Sequence, residues 1–240
     1  MKKTILFILH LPPPVHGAAM VGQYIHDSTV INRAFDCHYI NLATATDMAD
    51  IGRIGWNKIK KFARLLLNIR CVIRTLKPQL IYITPNACGG AFYKDFIVVQ
   101  MLKTMGCKVL AHYHNKGVLT RQDRLVDNFL YRQFFRNLKV ILLSERLYDD
   151  IKKYADREDA FICPNGIPNE EASYSPAACT GKTPTQLLFL SNMMKAKGVY
   201  DLLEACRILK KKTWPLNVIL SVNGRIFPKK SLLKPWPIKI

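Results

Sequence analysis

The sequence predicts an α/β fold: a Rossmann-like parallel sheet, layered with helices, and the opening of a second α/β unit. Three observations carry the prediction of a parallel sheet. Short apolar runs alternate with stretches of helical period from residue 4 to residue 163, the pattern of successive βαβ units. The runs are continuous rather than alternating in polarity, as strands buried on both faces are. Apolar residues make up 49% of the 240-residue chain, enough for a sizeable core.

In chain order the strands are expected at 4–10, 37–42, 80–84, 108–112, 140–143 and 160–163. Helices fill the gaps at 18–28, 56–76, 92–105, 124–136 and 145–154, where apolar residues recur every three or four positions. The basic start and apolar run of residues 1–9 would also fit a short signal peptide. His10 and Pro12-Pro13-Pro14 interrupt the run at the length of a first strand, so the strand reading is preferred. No run reaches the apolar length of a membrane span. The seven cysteines are odd in number, scattered and without a CxxC pair. They read as free thiols in a reducing compartment, and a cytoplasmic protein is expected.

Charge points to an anionic partner. Thirty-six basic residues against seventeen acidic ones leave a formal +19, which fits nucleic acid, acidic lipid or a phosphorylated substrate. The helix at 56–76 concentrates it. Ile59, Phe62, Leu66, Ile69, Ile73 and Leu76 form one apolar stripe. Lys58, Lys60, Lys61, Arg64, Arg70, Arg74 and Lys77 decorate the rest, and Asp95 is the one acid between Gly52 and Lys103. A helix linking parallel strands must cover the sheet, which explains the stripe. The one-signed face, with Trp56 near its start, is expected to dock on an anionic membrane through Lys58, Lys60, Lys61 and Arg64.

Two loops look like ligand sites. After the first strand, Val15-His16-Gly17-Ala18-Ala19 opens a helix. Gly17 lets backbone approach a phosphate at that N-terminus, or merely serves a tight turn. The glycine spacing of the dinucleotide fingerprint is absent, which argues against an NAD or FAD enzyme. After the fourth strand comes His112-Tyr113-His114-Asn115. Two histidines on one strand face could bind metal, but no third ligand is near, so no metal is expected. A strand-end histidine facing the crevice of a doubly wound sheet suits a polar substrate, or a simple structural hydrogen bond. Asp149-Asp150 falls on a helix rather than in a metal-binding turn.

The segment Leu187–Ala205, LLFLSNMMKAKGVYDLLEA, reads as a strand, a basic turn and a helix starting near Gly198. Such a turn is either an ordinary connection or a phosphate site, with Lys197 adding a full charge. Together with Ile162-Cys163-Pro164-Asn165-Gly166-Ile167 just before it, the segment resembles the start of the second domain of GT4-type, GT-B glycosyltransferases. The Pro-rich loop before Gly17 and the His-x-His turn resemble other landmarks of that family.

The resemblance implies a nucleotide-sugar-dependent glycosyltransferase, retaining, with a nucleotide-sugar as co-substrate and no further cofactor. Gly17, Asn192 and Lys197 would hold the donor phosphates, and His114 would line the catalytic cleft. Asn192 stands where the family has Arg, and His16 where it has a first Gly. The acceptor would be an envelope polysaccharide or a lipid-linked glycan, reached at the inner face of the cell membrane. Domains are expected at 1–168 and 186–240, with a linker at 169–185. The family's paired glutamates have no counterpart here, so the chain reads as truncated, by nature or by a frameshift, and inactive alone. The alternatives are a non-catalytic acceptor- or membrane-binding module and, from charge alone, a nucleic-acid binder.

Overall fold

Each of the six expected strands forms, within one residue of its expected ends. The computed structural model describes residues 2–13, 15, 17–43, 56–166, 185–191, 195–212, 216–222 and 225–227. They belong to two units, Met1–Asn169 and Glu170–Ile240. In chain order the first unit runs β1 (Thr4–Leu9), α1 (Gly17–Asp27), α2 (Thr29–Ala34), β2 (Asp36–Asn41), α3 (Trp56–Leu76) and β3 (Leu80–Ile83). It continues α4 (Gly89–Thr104), β4 (Val109–Tyr113), α5 (Leu125–Phe135), β5 (Lys139–Leu142), α6 (Tyr148–Ile151) and β6 (Ala160–Ile162).

The strands are all parallel, in the order β2-β1-β3-β4-β5-β6. Alternation along β1 divides the core. Ile5, Phe7 and Leu9 face α1 and α2 with Ile25, Ile31, Tyr39 and Tyr82. Leu6 and Ile8 face the other way, into a larger core where α3, α4 and α5 contribute Ile69, Ile73, Phe92, Val98, Leu102, Tyr131 and Phe134. This central strand is buried on both sides, which is why its run has no polar position.

Two helical segments differ from expectation. α2 was not foreseen, because six residues are too few to show a period. Ser28 caps it, its hydroxyl accepting from the Ile31 amide at 3.3 Å. The helix expected at 145–154 breaks into a 3-10 turn at Glu145–Leu147 and the short α6. Ser144 flanks it without a side-chain cap, and the tighter i→i+3 bond from Leu147 to the Ser144 carbonyl, 3.1 Å, replaces helical bonding.

α3 spans its expected residues, but only part of the stripe is core. Ile69 and Ile73 are buried, and Phe62 and Leu66 pack against the core. Ile59 is 50% exposed and Trp56 79%. A 21-residue helix is about 31 Å long, while strands of four to six residues span about 13–20 Å, so the first turn overhangs the sheet.

The second unit contains β7 (Thr185–Leu190), a 3-10 turn at Lys195–Lys197, α7 (Val199–Lys211), β8 (Leu216–Val222) and β9 (Arg225–Phe227). β7 and β8 are parallel, and β9 pairs antiparallel with β8. The expected strand, turn and helix are therefore present. Gly198 precedes α7 with φ 79°, a left-handed conformation that favours glycine. β9 lies beyond the last segment assigned from sequence. Apart from Thr185, the expected linker lies outside the described residues. Among the described residues no helix is long and apolar enough to cross a membrane.

Candidate active site

The strand order places the switch point between β1 and β3. The chain leaves β1 toward β2 on one side and leaves β3 toward β4 on the other, so their loops part and open a crevice at the carboxyl ends of the strands. α1 closes down on this edge. A Cβ at Gly22 would lie 2.1 Å from the His10 carbonyl oxygen, so only glycine allows that approach. The His10 amide donates to Thr84 Oγ1 at 3.2 Å, and its Nδ1 lies 3.3 Å from the same hydroxyl. Asn41, at the end of β2, accepts from the Leu11 amide at 3.2 Å. Three strand ends are thereby tied together.

A second network fixes the loops after β3 and β4. Asp95, wholly buried on α4, accepts from the Asn86 amide at 2.9 Å and from Asn86 Nδ2 at 2.8 Å. Its other oxygen faces the Lys94 ammonium at 3.4 Å. Burial pushes the Asp95 carboxyl pKa up, with Lys94 and the Asn86 donors opposing it. Asn115 donates to Asn86 Oδ1 at 3.3 Å and accepts from the Ala87 amide at 2.9 Å. Tyr131 donates to the Ala87 carbonyl at 2.8 Å. Beyond Asn115 the loop wraps the Asp150 carboxylate, which accepts from the amides of Gly117, Val118 and Leu119 at 2.8, 3.1 and 3.0 Å. Gly117 has φ 148°, and a Cβ there would meet Cys88 Sγ at 2.6 Å.

The histidines sit inside this frame. His112 and His114 stack with ring centroids 4.2 Å apart. His112 Nδ1 pairs with the Tyr82 hydroxyl. Its Nε2 is buried without a hydrogen-bond partner among the described residues, and the buried His114 ring has the Asn165 side chain as a polar neighbour. Burial first, and the neighbouring His114 second, push His112 down to about 3. Burial also lowers His114, with the nearby Asn165 amide opposing. Both rings are neutral near pH 7, each with a donor and an acceptor. A cavity of about 640 Å³ adjoins His112 on the α1 side of the sheet, lined by Phe7, Tyr24, Ile25, Tyr82, His112 and Asn165 among others. Its size and mixture of apolar walls with few polar groups suit a small organic ligand. Among the described residues no group of three or more His, Cys, Asp or Glu side chains is arranged to hold a metal.

Known structures place this architecture. An α,α-trehalose-phosphate synthase (UDP-forming) from Burkholderia vietnamiensis superposes with a TM-score of 0.58 at 10% identity, over 92% of this chain and 63% of its own. The fold is GT-B. An apo structure of OtsA gives 0.57 at 11% identity, over 92% of this chain and 65% of its own. A complex of S. aureus MnaA with UDP gives 0.50 at 9% identity, over 93% and 62%. The chain thus spans just under two thirds of these proteins. The sequence matches no protein-family model and no curated protein.

Of the residues singled out from sequence, Gly17 and His114 lie at the carboxyl edge of the first sheet. A Cβ at Gly17 would meet nothing within 4 Å, so packing does not demand glycine there. Lys197 ends the exposed 3-10 turn before α7 in the second unit, and Asn192 lies outside the described residues. Lys60, Lys61 and Arg64 are exposed on α3. Lys58 is on the same helix, its side chain outside those described. Sequence reasoning missed Tyr82, Asn86 and Asp150 as parts of the site. Asp95 had a signal: a lone acid inside an apolar helix of a basic stretch has to be buried with partners.

Proposed function

We propose that the chain is part of a glycosyltransferase that moves a sugar from a nucleotide-sugar to a glycan or lipid-linked acceptor, with retention of configuration. The observation that carries the reading is the stacked, buried pair His112–His114 at the carboxyl end of β4, next to the switch point of a GT-B sheet. In the reaction the bond from the anomeric carbon to the diphosphate oxygen breaks, and an acceptor hydroxyl forms the new glycosidic bond and gives its proton to the departing diphosphate. His114, being neutral, hydrogen-bonds sugar hydroxyls rather than acting as a cation. By the family resemblance, Gly17 in the first unit and Asn192 and Lys197 in the second are the residues assigned to the donor diphosphate. Two structural neighbours carry UDP in their names, which makes UDP-sugars the first donors to try.

Radiolabelled UDP- and GDP-sugars decide the reading, offered to this chain alone and to the chain completed by a whole GT-B second domain. Transfer is expected with the completed protein, and His114→Ala should lower it roughly 100-fold, the scale of losing one preorganised group. Lys197→Ala should weaken donor binding. Undiminished transfer in the His114 variant would remove that residue from the site, and no transfer under any condition would remove the function.

Membrane docking at the inner face of the cell membrane belongs to the same proposal. The opening turns of α3, α4 and α5 lie at one edge of the sheet, and all expose apolar side chains: Trp56 and Ile59, Tyr93, and Leu125, Val126 and Phe129. Lys60, Lys61, Arg64, Arg121 and Arg124 lie on or beside these turns. Apolar insertion flanked by cations is what an anionic bilayer binds, at about 1 kcal/mol for each basic group near the surface. Charge reversal at Lys58, Lys60, Lys61 and Arg64 should abolish sedimentation with phosphatidylglycerol vesicles. Full sedimentation of that variant would rule this helix out as the dock.

A further inference from the structure

The opposite edge of the first sheet carries a feature that the proposed function leaves unused. A cavity of about 880 Å³ opens where the last turns of α3 and α4 meet the amino ends of β3 and β4. Arg70, Arg74, Lys77 and Lys108 surround it, Met101 and Met105 contribute apolar surface, and none of its lining residues is acidic. The four cations make no ion pair or side-chain hydrogen bond with any described residue.

The simplest structural role for such cations is to complement helix carboxyl ends, and Lys103 shows what that role looks like. Its ammonium donates to the carbonyls of Gln133, Phe134 and Arg136 at 2.9, 2.6 and 2.6 Å. Burial, then the charge of Arg136, lower it to about 8. The cavity cations are exposed and donate to no carbonyl. Two helix ends supply roughly half a negative charge each, so four side-chain charges leave about three positive charges in excess. A cleft that concentrates like charges without partners focuses potential on an incoming anion.

We propose that this cavity is a second anion site, which takes a ligand with a terminal phosphate or diphosphate group and an apolar portion. The guanidinium groups of Arg70 and Arg74 lie one turn apart on α3, a spacing that lets both reach one phosphate. Lys77, just past the end of α3, and Lys108, just before β4, add point charges, and the methionines accept varied apolar shapes. The volume lies in the range of small-molecule sites. The site is independent of the crevice, which lies at the other end of the strands.

The test reads the two methionines directly. Protein labelled with ¹³C at the methionine methyls is titrated at 150 mM salt with pyrophosphate and, separately, with monomeric dihexanoyl phosphatidic acid. Saturable shifts are expected at Met101 and Met105. They should need at least tenfold more ligand in Arg70→Gln/Arg74→Gln, and the same amount in His114→Ala. A stronger response to pyrophosphate identifies a soluble phosphate ligand, and a stronger response to the lipid identifies a headgroup site. No shift with either probe, a shift undiminished in the double variant, or one lost in His114→Ala instead would overturn the proposal.

Discussion

The two ends of the first sheet are built on opposite principles. At the carboxyl end, buried Thr84 and Asp95 anchor half-buried and exposed polar groups in a bonded frame: His10 with Thr84, Asn86 with Asp95 and Asn115, and Asp150 with three amides. At the amino end, cations stand exposed around an open cavity with no acid in its lining. A low local dielectric makes the first arrangement costly to break and geometrically exact, while solvent makes the second cheap to alter and wholly electrostatic. One end is built on geometry, and the other on potential.

The comparison can be broken most severely at Asp95. Asp95→Ala leaves two Asn86 donors without their acceptor and Lys94 without its counter-ion. Removing one partner of a buried charged pair costs about 3–5 kcal/mol, and urea unfolding should show a loss of that size. Faster amide exchange should accompany it at Asn86 and Ala87, where the loop loses its tie. A loss under about 1 kcal/mol would mean that Asp95 does not hold the crevice.

A smaller effect sharpens the contrast through pH. The His112 pKa is lowered from the ordinary 6.5 to about 3. Between those values the unfolded chain binds a proton that the folded chain refuses, so stability falls as pH drops below 6.5. The slope from this one proton approaches about 1.4 kcal/mol per pH unit. His114, also lowered by burial, adds in the same direction. His112→Gln should flatten the acid limb of stability against pH, and an unchanged limb would place the acid sensitivity elsewhere. The amino end gives the smallest effect. Arg70→Gln/Arg74→Gln, which alters exposed side chains without partners, should shift stability by no more than about 0.5 kcal/mol.

The sequence by itself determined the strands, most helices and the parallel class. A strand buried on both faces has to be a continuous apolar run, and α3 and α7 are long enough for a 3.6-residue period to show. It also determined that the chain carries excess positive charge, and it marked the two loops that reach the crevice, at Gly17 and His114. What only the tertiary structure decided are relations between residues far apart in the chain. Tyr82 meets His112 because β3 and β4 are neighbours. Asn86 meets Asn115, and Asp150 meets the loop at residues 117–119, because three crossovers bring those ends to one edge. Local pattern reports which face of an element is buried, but not what it is buried against. Partnership depends on strand order and register, which arise from the packing of the whole sheet. The same reason hid the amino-end cavity. Arg70, Arg74 and Lys77 read in sequence as part of the one-signed basic face of α3, and only the arrival of Lys108 from beyond the end of α4 brings them around one cavity.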